Sequence, residues 1–202
     1  MTVTDIVSRN KSKNNIFLDG EFAFVLYKGD FRHCNIEVGT EIPEDVYRKI
    51  MEELLPRRAL DRSYKLLSSK DYTEKQIRTK LRDDGYPDLI IDHTIAKLKE
   101  ERFLDDTRYA ENFVFWKAKD RSRNRMMMDL RQKGIDPSVA ERIYDELLEK
   151  DDIDDEEVVL ARLLAKKHFD PQNASFEEKE KMKQSLYRKG FSFDAIQKAM
   201  GR

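Results

Sequence analysis

Apolar and polar residues alternate near the amino terminus, over residues 15–27. Such alternation is typical of strands that bury one face, and the dipeptide Asp19-Gly20 at its centre accepts the positive φ angles of a two-residue type I′ turn. The pattern therefore predicts a β-hairpin with one apolar face. The residues predicted for that face are Ile16, Leu18, Phe22, Phe24 and Leu26.

The next segment adds further predicted elements. A third extended piece is expected through Ile36 and Val38, because glycines on either side supply turn signals. Pro43 suits the first turn of a helix with an apolar residue at every fourth position, and Pro56 limits the continuation of that helix. Residues 1–56 are thus predicted to form a small β-hairpin-plus-helix module.

From residue 57 onward the apolar spacing is helical, and one pattern occurs three times at a period of about 50 residues. In each copy, a leucine is followed four residues later by a glycine and then by an apolar residue. The copies are Leu81-x3-Gly85-Tyr86, Leu130-x3-Gly134-Ile135 and Leu186-x3-Gly190-Phe191. Units of this kind stack on their neighbours to bury a continuous core. We expect three-helix repeats at residues 57–104, 105–153 and 154–202.

Helix boundaries are marked by caps at corresponding places in the repeats. Thr73 and Gln76 have the spacing of a capping box, Gly85 has the left-handed position that ends a helix, and Ser122 is a candidate N-cap. Asp105-Asp106 and Asp154-Asp155 precede the first helices of the second and third repeats, where carboxylates are favourable. In the second repeat, Phe113 and Trp116 have the spacing of core residues and are expected to be buried between repeats.

Composition supports a mainly α fold. The chain has only seven glycines and five prolines, and 39% of its residues are charged. A mean hydropathy of −0.78 leaves little apolar surface for one thick core. We therefore expect the three repeats to form an elongated, curved stack. The single cysteine, Cys34, excludes a disulfide framework, and no apolar run reaches membrane-spanning length, so a cytoplasmic protein is expected.

Cations are concentrated locally although the net charge is only −1. The segment from Lys117 to Lys133 contains seven cationic residues and only two acidic ones. Such a surface can track phosphates, and the alternative is an ordinary solvated helix face. We call the middle helix of each repeat helix B. If the three B helices line one side of the stack, their cations would form one extended strip. The arginines that open the second helix B oppose the helix dipole, so a purely structural role is not expected for them. The candidate nucleic-acid or filament-binding residues are Lys75, Arg78, Arg82, Lys117, Lys119, Arg121, Arg123, Arg125, Arg131, Lys133, Lys181, Lys183 and Lys189.

An enzyme is not expected. The acidic run at residues 151–157 is consecutive, whereas a metal site needs carboxylates that converge from separate elements. The three histidines lack metal-ligand spacing, and there is no phosphate-cradling glycine loop or nucleophile motif. We predict no catalytic residue, no metal and no cofactor.

Several of these motifs together resemble the RecX family, regulators of the RecA recombinase. They are the repeated Leu-x3-Gly-apolar turn, the block Phe103-Leu104-Asp105-Asp106-x2-Tyr109-Ala110, and Lys133-Gly134-Ile135. The hairpin at residues 15–20 resembles an extension found in members from Gram-positive bacteria. Ser122-Arg123 stands where the family often has Gly-Pro.

The resemblance implies a protein that docks on the RecA–DNA filament and modulates, usually inhibits, strand exchange and the ATPase and coprotease activities of RecA. It places the chain in DNA recombination, DNA repair and the SOS response. We expect a monomer that also binds single- and double-stranded DNA weakly and in a salt-dependent way. A stand-alone DNA-binding protein that uses a helix in the major groove stays open as an alternative. So does a helical-repeat scaffold for another protein.

Overall fold

The computed structural model describes residues 1–34 and 36–201, with the backbone alone at residues 32 and 33. The described residues form two compact units, Met1–Asp105 and Asp106–Arg202. As predicted, the fold is mainly helical, with three tandem three-helix repeats after a small amino-terminal sheet. The division into a module at 1–56 and repeats at 57–104, 105–153 and 154–202 stays a prediction, as does their elongated, curved stacking.

The sheet is antiparallel, with the strand order β1 (Val3–Ser8), β2 (Lys13–Leu18), β3 (Glu21–Tyr27). Asp19 and Gly20 have φ angles of 49° and 90°, as a type I′ turn requires, so the predicted hairpin is confirmed. The third strand was predicted in the wrong place. It is β1, whereas Val38 lies in a turn.

The predicted apolar face of the hairpin is correct except at Phe22. Ile16, Leu18, Phe24 and Leu26 are buried, but Phe22 is 47% exposed. Ile16 pairs with Phe24 and the next residue of β2 pairs with Phe22, so β3 carries one extra residue at this bulge. A one-residue shift moves a side chain to the other face, which explains why strict alternation failed here.

The helix that follows does not end at Pro56. After the short α1 (Phe31–Cys34), a continuous helical run contains α2 (Glu44–Lys49), a π-helical turn (Ile50–Leu54) and α3 (Leu55–Leu67). The N–H of Leu55 donates to the carbonyl of Ile50, five residues back. Pro56 directly follows this π-helical turn, and the helical run passes it without a break although Pro56 has no N–H to donate.

The remaining helices complete the repeats. The first repeat contains α3, α4 (Glu74–Asp84) and α5 (Asp88–Glu100). The second contains α6 (Asp106–Lys117), α7 (Arg123–Gln132) and α8 (Pro137–Glu149). The third contains α9 (Glu156–Lys166), α10 (Phe176–Arg188) and α11 (Phe193–Ala199). The first repeat shares one apolar core with the sheet, and the second and third repeats each have a core cluster of their own.

Most predicted caps are confirmed. Thr73 and Gln76 form a capping box at α4, and Gly85 ends that helix with a φ of 87°. Ser122 Oγ accepts a hydrogen bond from the Arg125 N–H, and Asp155 accepts one from the N–H of Val158. The capping role of Asp105-Asp106 stays a prediction, although α6 does begin at Asp106.

The expected burial of the aromatic side chains of α6 is wrong for Trp116, which is 63% exposed. The core side of this helix is occupied by Ala110 and Val114, both fully buried. Phe113 is only half-buried. Because the residues on the core side of α6 are small, neighbouring helices pack close to it. The large aromatic rings therefore lie at the edge of this packed face.

Candidate nucleic-acid interface

The cations of the first repeat differ in how firmly they are held. Arg78 Nε lies 2.6 Å from Glu74 Oε1, and its Nη1 lies 2.5 Å from Asp92 Oδ1. Burial alone would raise the pKa of Glu74, but hydrogen bonds from Lys99 and Arg78 lower it below its usual value. Arg82 instead pairs with an exposed carboxylate, that of Asp88, at 2.9 Å. Exposed pairs contribute little, so Arg82 can exchange its partner for a phosphate more readily than Arg78.

Lys75, the remaining candidate of this repeat, has an exposed side chain on α4. It lies on the solvent side of the same helix as Arg78 and Arg82. All three candidates of the first repeat therefore belong to one helix, as the sequence predicted.

Two of the three arginines at the start of α7 neutralise one nearly buried carboxylate. Asp129 is only 9% exposed. It accepts a hydrogen bond from Arg121 Nη1, and its other oxygen lies 3.2 Å from Arg125 Nε. A carboxylate at such a position needs a cation to offset its lost hydration. Arg121 and Arg125 therefore have a structural role, and the expectation that they also contact a phosphate or a filament stays a prediction.

Arg123 connects α7 to α8. Its Nη2 lies 2.5 Å from Glu141 Oε2 and 2.9 Å from Asp145 Oδ1, and the guanidinium carbon lies 4.7 Å from the Tyr144 ring centroid. The Arg123 backbone N–H also donates to Glu156 Oε1 at 2.7 Å. Any phosphate contact by Arg123 would compete with this arrangement.

Three other candidates have internal partners. Lys119 Nζ lies 5.0 Å from the Trp116 ring centroid, and Lys133 Nζ lies 5.8 Å from that of Phe113. Lys183 pairs with Glu180 at 2.8 Å. Within residues 1–34 and 36–201, no ion pair or ring contact involves the side chains of the remaining candidates. These are Lys117, Arg131, Lys181 and Lys189.

The start of α7 and the end of α10 meet in the second unit. Ser122 Oγ donates to the Lys189 carbonyl at 2.9 Å. Gly190 has a φ of 88°, and a Cβ added there would lie 2.8 Å from Ser122 Oγ and 3.5 Å from Arg125 Cβ. This contact places Arg125 close to Lys189. The two candidates belong to different repeats. A continuous strip along all three B helices stays a prediction.

A groove between α10 and α11 was not predicted from the sequence. Two aromatic side chains border it, Tyr187 and Phe193, which are 67% and 65% exposed. The groove encloses about 420 Å³. Its other lining residues are Glu180, Lys183, Gln184, Arg188, Ile196 and Gln197. The available signal was an aromatic residue next to the cations of the third helix B, at Tyr187-Arg188-Lys189.

The acidic run has local roles in helix ends and ion pairs. Asp155 caps α9, and Asp154 Oδ2 lies 2.7 Å from Arg162 Nη2. In the part of the chain that the structure describes, no three histidine, cysteine or acidic side chains converge on a point where a metal ion could bind. None of the described helices has the length and apolar character needed to cross a bilayer.

Comparison with known proteins relates the chain to one family along most of its length. Models of the first, second and third three-helix domains of RecX match residues 59–98, 105–143 and 154–200. A protein of Caldanaerobacter subterraneus subsp. tengcongensis named regulatory protein RecX is 31% identical over 99% of this chain and 98% of its own length. A protein of Finegoldia magna with the same name is 33% identical over 95% of this chain and 94% of its own.

Two solved structures have a similar fold. The crystal structure of a regulatory protein RecX aligns with a TM-score of 0.64 and 23% identity, over 100% of this chain and 99% of that one. The crystal structure of RecX from Lactobacillus salivarius aligns with a TM-score of 0.54 and 28% identity, over 70% of this chain and 92% of that one.

Proposed function

The chain belongs to the RecX family of regulatory proteins, and we propose that it binds the RecA–DNA filament and inhibits the recombinase, ATPase and coprotease activities of RecA. The observation that carries the proposal is the match of all three repeats, together with relatives named regulatory protein RecX that align over nearly the whole chain. RecA is the partner that this name implies.

The protein acts by occupying the filament, without chemistry of its own. Its accessible cations contact DNA phosphates or acidic side chains of RecA, and each phosphate contact releases counterions. The overall charge of −1 provides no long-range attraction to nucleic acid, so binding to naked DNA is weak and salt-dependent. Because its partner is a cytoplasmic filament engaged in DNA repair, we place this monomeric protein in the cytoplasm.

Co-sedimentation with RecA filaments assembled on single-stranded DNA tests the proposal. We expect the protein to pellet with the filament and to remain largely in solution with RecA alone or DNA alone. Sequence-dependent binding to duplex DNA without RecA would instead indicate a stand-alone DNA-binding protein. Tight binding to another protein, with no effect of DNA or RecA filaments, would indicate a scaffold.

Matched charge variants test which cations make the contacts. Lys181→Gln with Lys189→Gln removes two candidates that have no ion pair among the described residues. Lys166→Gln with Lys167→Gln removes the same charge from exposed positions outside the candidate set. If both candidates touch phosphates, the slope of log K against log salt becomes shallower by about 1.4 on single strands for the first pair alone. Equal slopes for the two pairs would reject these contacts.

A further inference from the structure

Two large aromatic side chains form the rim of the groove between α10 and α11. Tyr187 and Phe193 each leave about two thirds of the side chain in water. Ile196, which is buried, forms part of the apolar lining between them. Two large exposed rings beside a concave apolar surface are typical of a binding site.

The polar groups around the groove indicate what it would bind. Gln184 and Gln197 carry neutral amides, which can both donate and accept hydrogen bonds, as the edge of a nucleobase requires. Arg188 has an exposed guanidinium that can contact a phosphate. The only carboxylate in the lining, that of Glu180, is neutralised by Lys183 at 2.8 Å.

The other exposed aromatic pair of the second unit has different surroundings. Phe115 and Trp116 meet edge to face, with ring centroids 5.3 Å apart. Asp151 and Asp152, both exposed, line the surface next to Phe115. Lys119 lies over both rings, but it is outnumbered by the three carboxylates that line this surface, which would repel a phosphate backbone. Charge therefore favours the α10–α11 groove as the site for a nucleic acid.

We propose that the groove between α10 and α11 binds an unpaired nucleotide of a single strand. The base stacks on Tyr187 or Phe193, the amides of Gln184 and Gln197 contact its edge, and Arg188 contacts the adjoining phosphate. This inference rests on the DNA-binding part of the proposed function and deepens it. Aromatic stacking accepts any base, so little sequence preference is expected.

Fluorescence anisotropy with an end-labelled oligothymidylate, in the absence of RecA, tests the stacking. The comparison strand has the same length and phosphates but contains abasic sites. The wild-type protein should bind the thymidylate strand more tightly. Replacing Tyr187 and Phe193 with Ala should weaken thymidylate binding by roughly 5- to 150-fold and leave abasic binding unchanged.

Two controls separate stacking from other effects. Phe115→Ala with Trp116→Ala removes a comparable exposed pair and should leave binding unchanged, while Tyr187→Phe keeps the ring and should retain wild-type affinity. Arg188→Gln should make the salt slope shallower by about 0.7 without removing the preference for bases.

The outcomes that overturn the proposal do not depend on one variant. A wild-type protein that binds abasic and thymidylate strands equally would reject it, even if the double alanine variant failed to fold. Normal strand binding by the double variant together with weaker filament co-sedimentation would assign the groove to a protein partner. The assay contains no RecA, so its failure leaves the proposed filament binding to be judged by co-sedimentation.

Discussion

At the scale of single residues, the near burial of Asp129 gives two neighbouring arginines a structural role. Replacing Arg121 and Arg125 with Ala would leave a nearly buried carboxylate without its two cations. We expect a loss of roughly 1–2 kcal/mol in the free energy of unfolding, because partial exposure of both arginines screens the pair. Urea unfolding measures it. Arg131→Ala, at an exposed position, should stay within about 0.5 kcal/mol, and an equal effect of both changes would contradict the pairing.

Gly190 is required for two separate reasons. Its positive φ disfavours any other residue, and a Cβ would meet Ser122 Oγ at 2.8 Å. Gly190→Ala should therefore lower the free energy of unfolding by about 1–2 kcal/mol, because alanine is strained at this positive φ. The close approach of the added Cβ to Ser122 Oγ should lower it further. Gly20→Ala is the matched control, because Gly20 has a φ of 90° and no atom within 4 Å of the added Cβ. Thermal unfolding should show the larger loss at Gly190, and similar losses would indicate that the contact relaxes freely.

Single-residue roles could be predicted only where they depend on local sequence. The left-handed glycine after α4 follows from its position at a helix end, and it was predicted. The four-residue spacing of Arg125 and Asp129 on one helix could have indicated their ion pair, but nothing in the sequence shows the pair with Arg121 or the near burial of Asp129. Burial depends on which helices pack over α7, and that depends on residues distant in sequence.

At the scale of elements, the caps were the most predictable feature, since a cap needs only a side chain and an N–H three residues later. Because the capping box of α4 involves only neighbouring residues, a single substitution tests it. Thr73→Ala removes the hydroxyl that accepts from Gln76, and it should cost about 1 kcal/mol or more of stability because Thr73 is also fully buried. Thr79→Ala, on the exposed side of α4, should be nearly neutral. Chemical denaturation of both variants measures the difference, and equal stability would exclude a stabilising capping box.

Strand β1 and the bulge in β3 were not predictable by the same means. Most side chains of β1 are exposed, so its sequence does not show the apolar alternation on which strand prediction depends. The bulge changes the register by one residue without any glycine or proline to mark it. The passage through Pro56 likewise depends on a π-helical turn that apolar spacing does not reveal.

At the scale of the whole molecule, paired carboxylates predict how stability depends on pH. Burial would raise the pKa of Asp84, but hydrogen bonds from Lys13 and Arg62 lower it, and Glu74 behaves similarly. Because the pKa values are lower in the folded state, the unfolded chain takes up protons first as pH falls. Stability should be constant above about pH 5 and should fall below about pH 4.

Urea midpoints measured across this range check the prediction. Asp84→Asn should be less stable at neutral pH and should show a shallower acid loss than the wild-type protein. A wild-type midpoint that stayed constant down to pH 3 would contradict the lowered pKa values.

The family and the three helical repeats could be identified from the sequence because the Leu-x3-Gly turn recurs in order. The proposed binding surface could not be located in the same way. Its residues were chosen by charge, and charge alone does not distinguish Arg121, which neutralises Asp129, from Arg131, which has no ion pair among the described residues. The α10–α11 groove was missed because Tyr187 and Phe193 come from different helices.

The exposure of Trp116 makes this protein a convenient optical reporter. It is the only tryptophan in the chain, so all indole emission comes from one site on the surface of α6. We expect emission close to that of free tryptophan in water, with efficient quenching by acrylamide and little spectral shift on unfolding. Oligothymidylate should leave the spectrum unchanged, since Trp116 lies outside the proposed nucleotide groove. A blue shift and protection from acrylamide on adding RecA filaments would mark α6 as part of the buried interface.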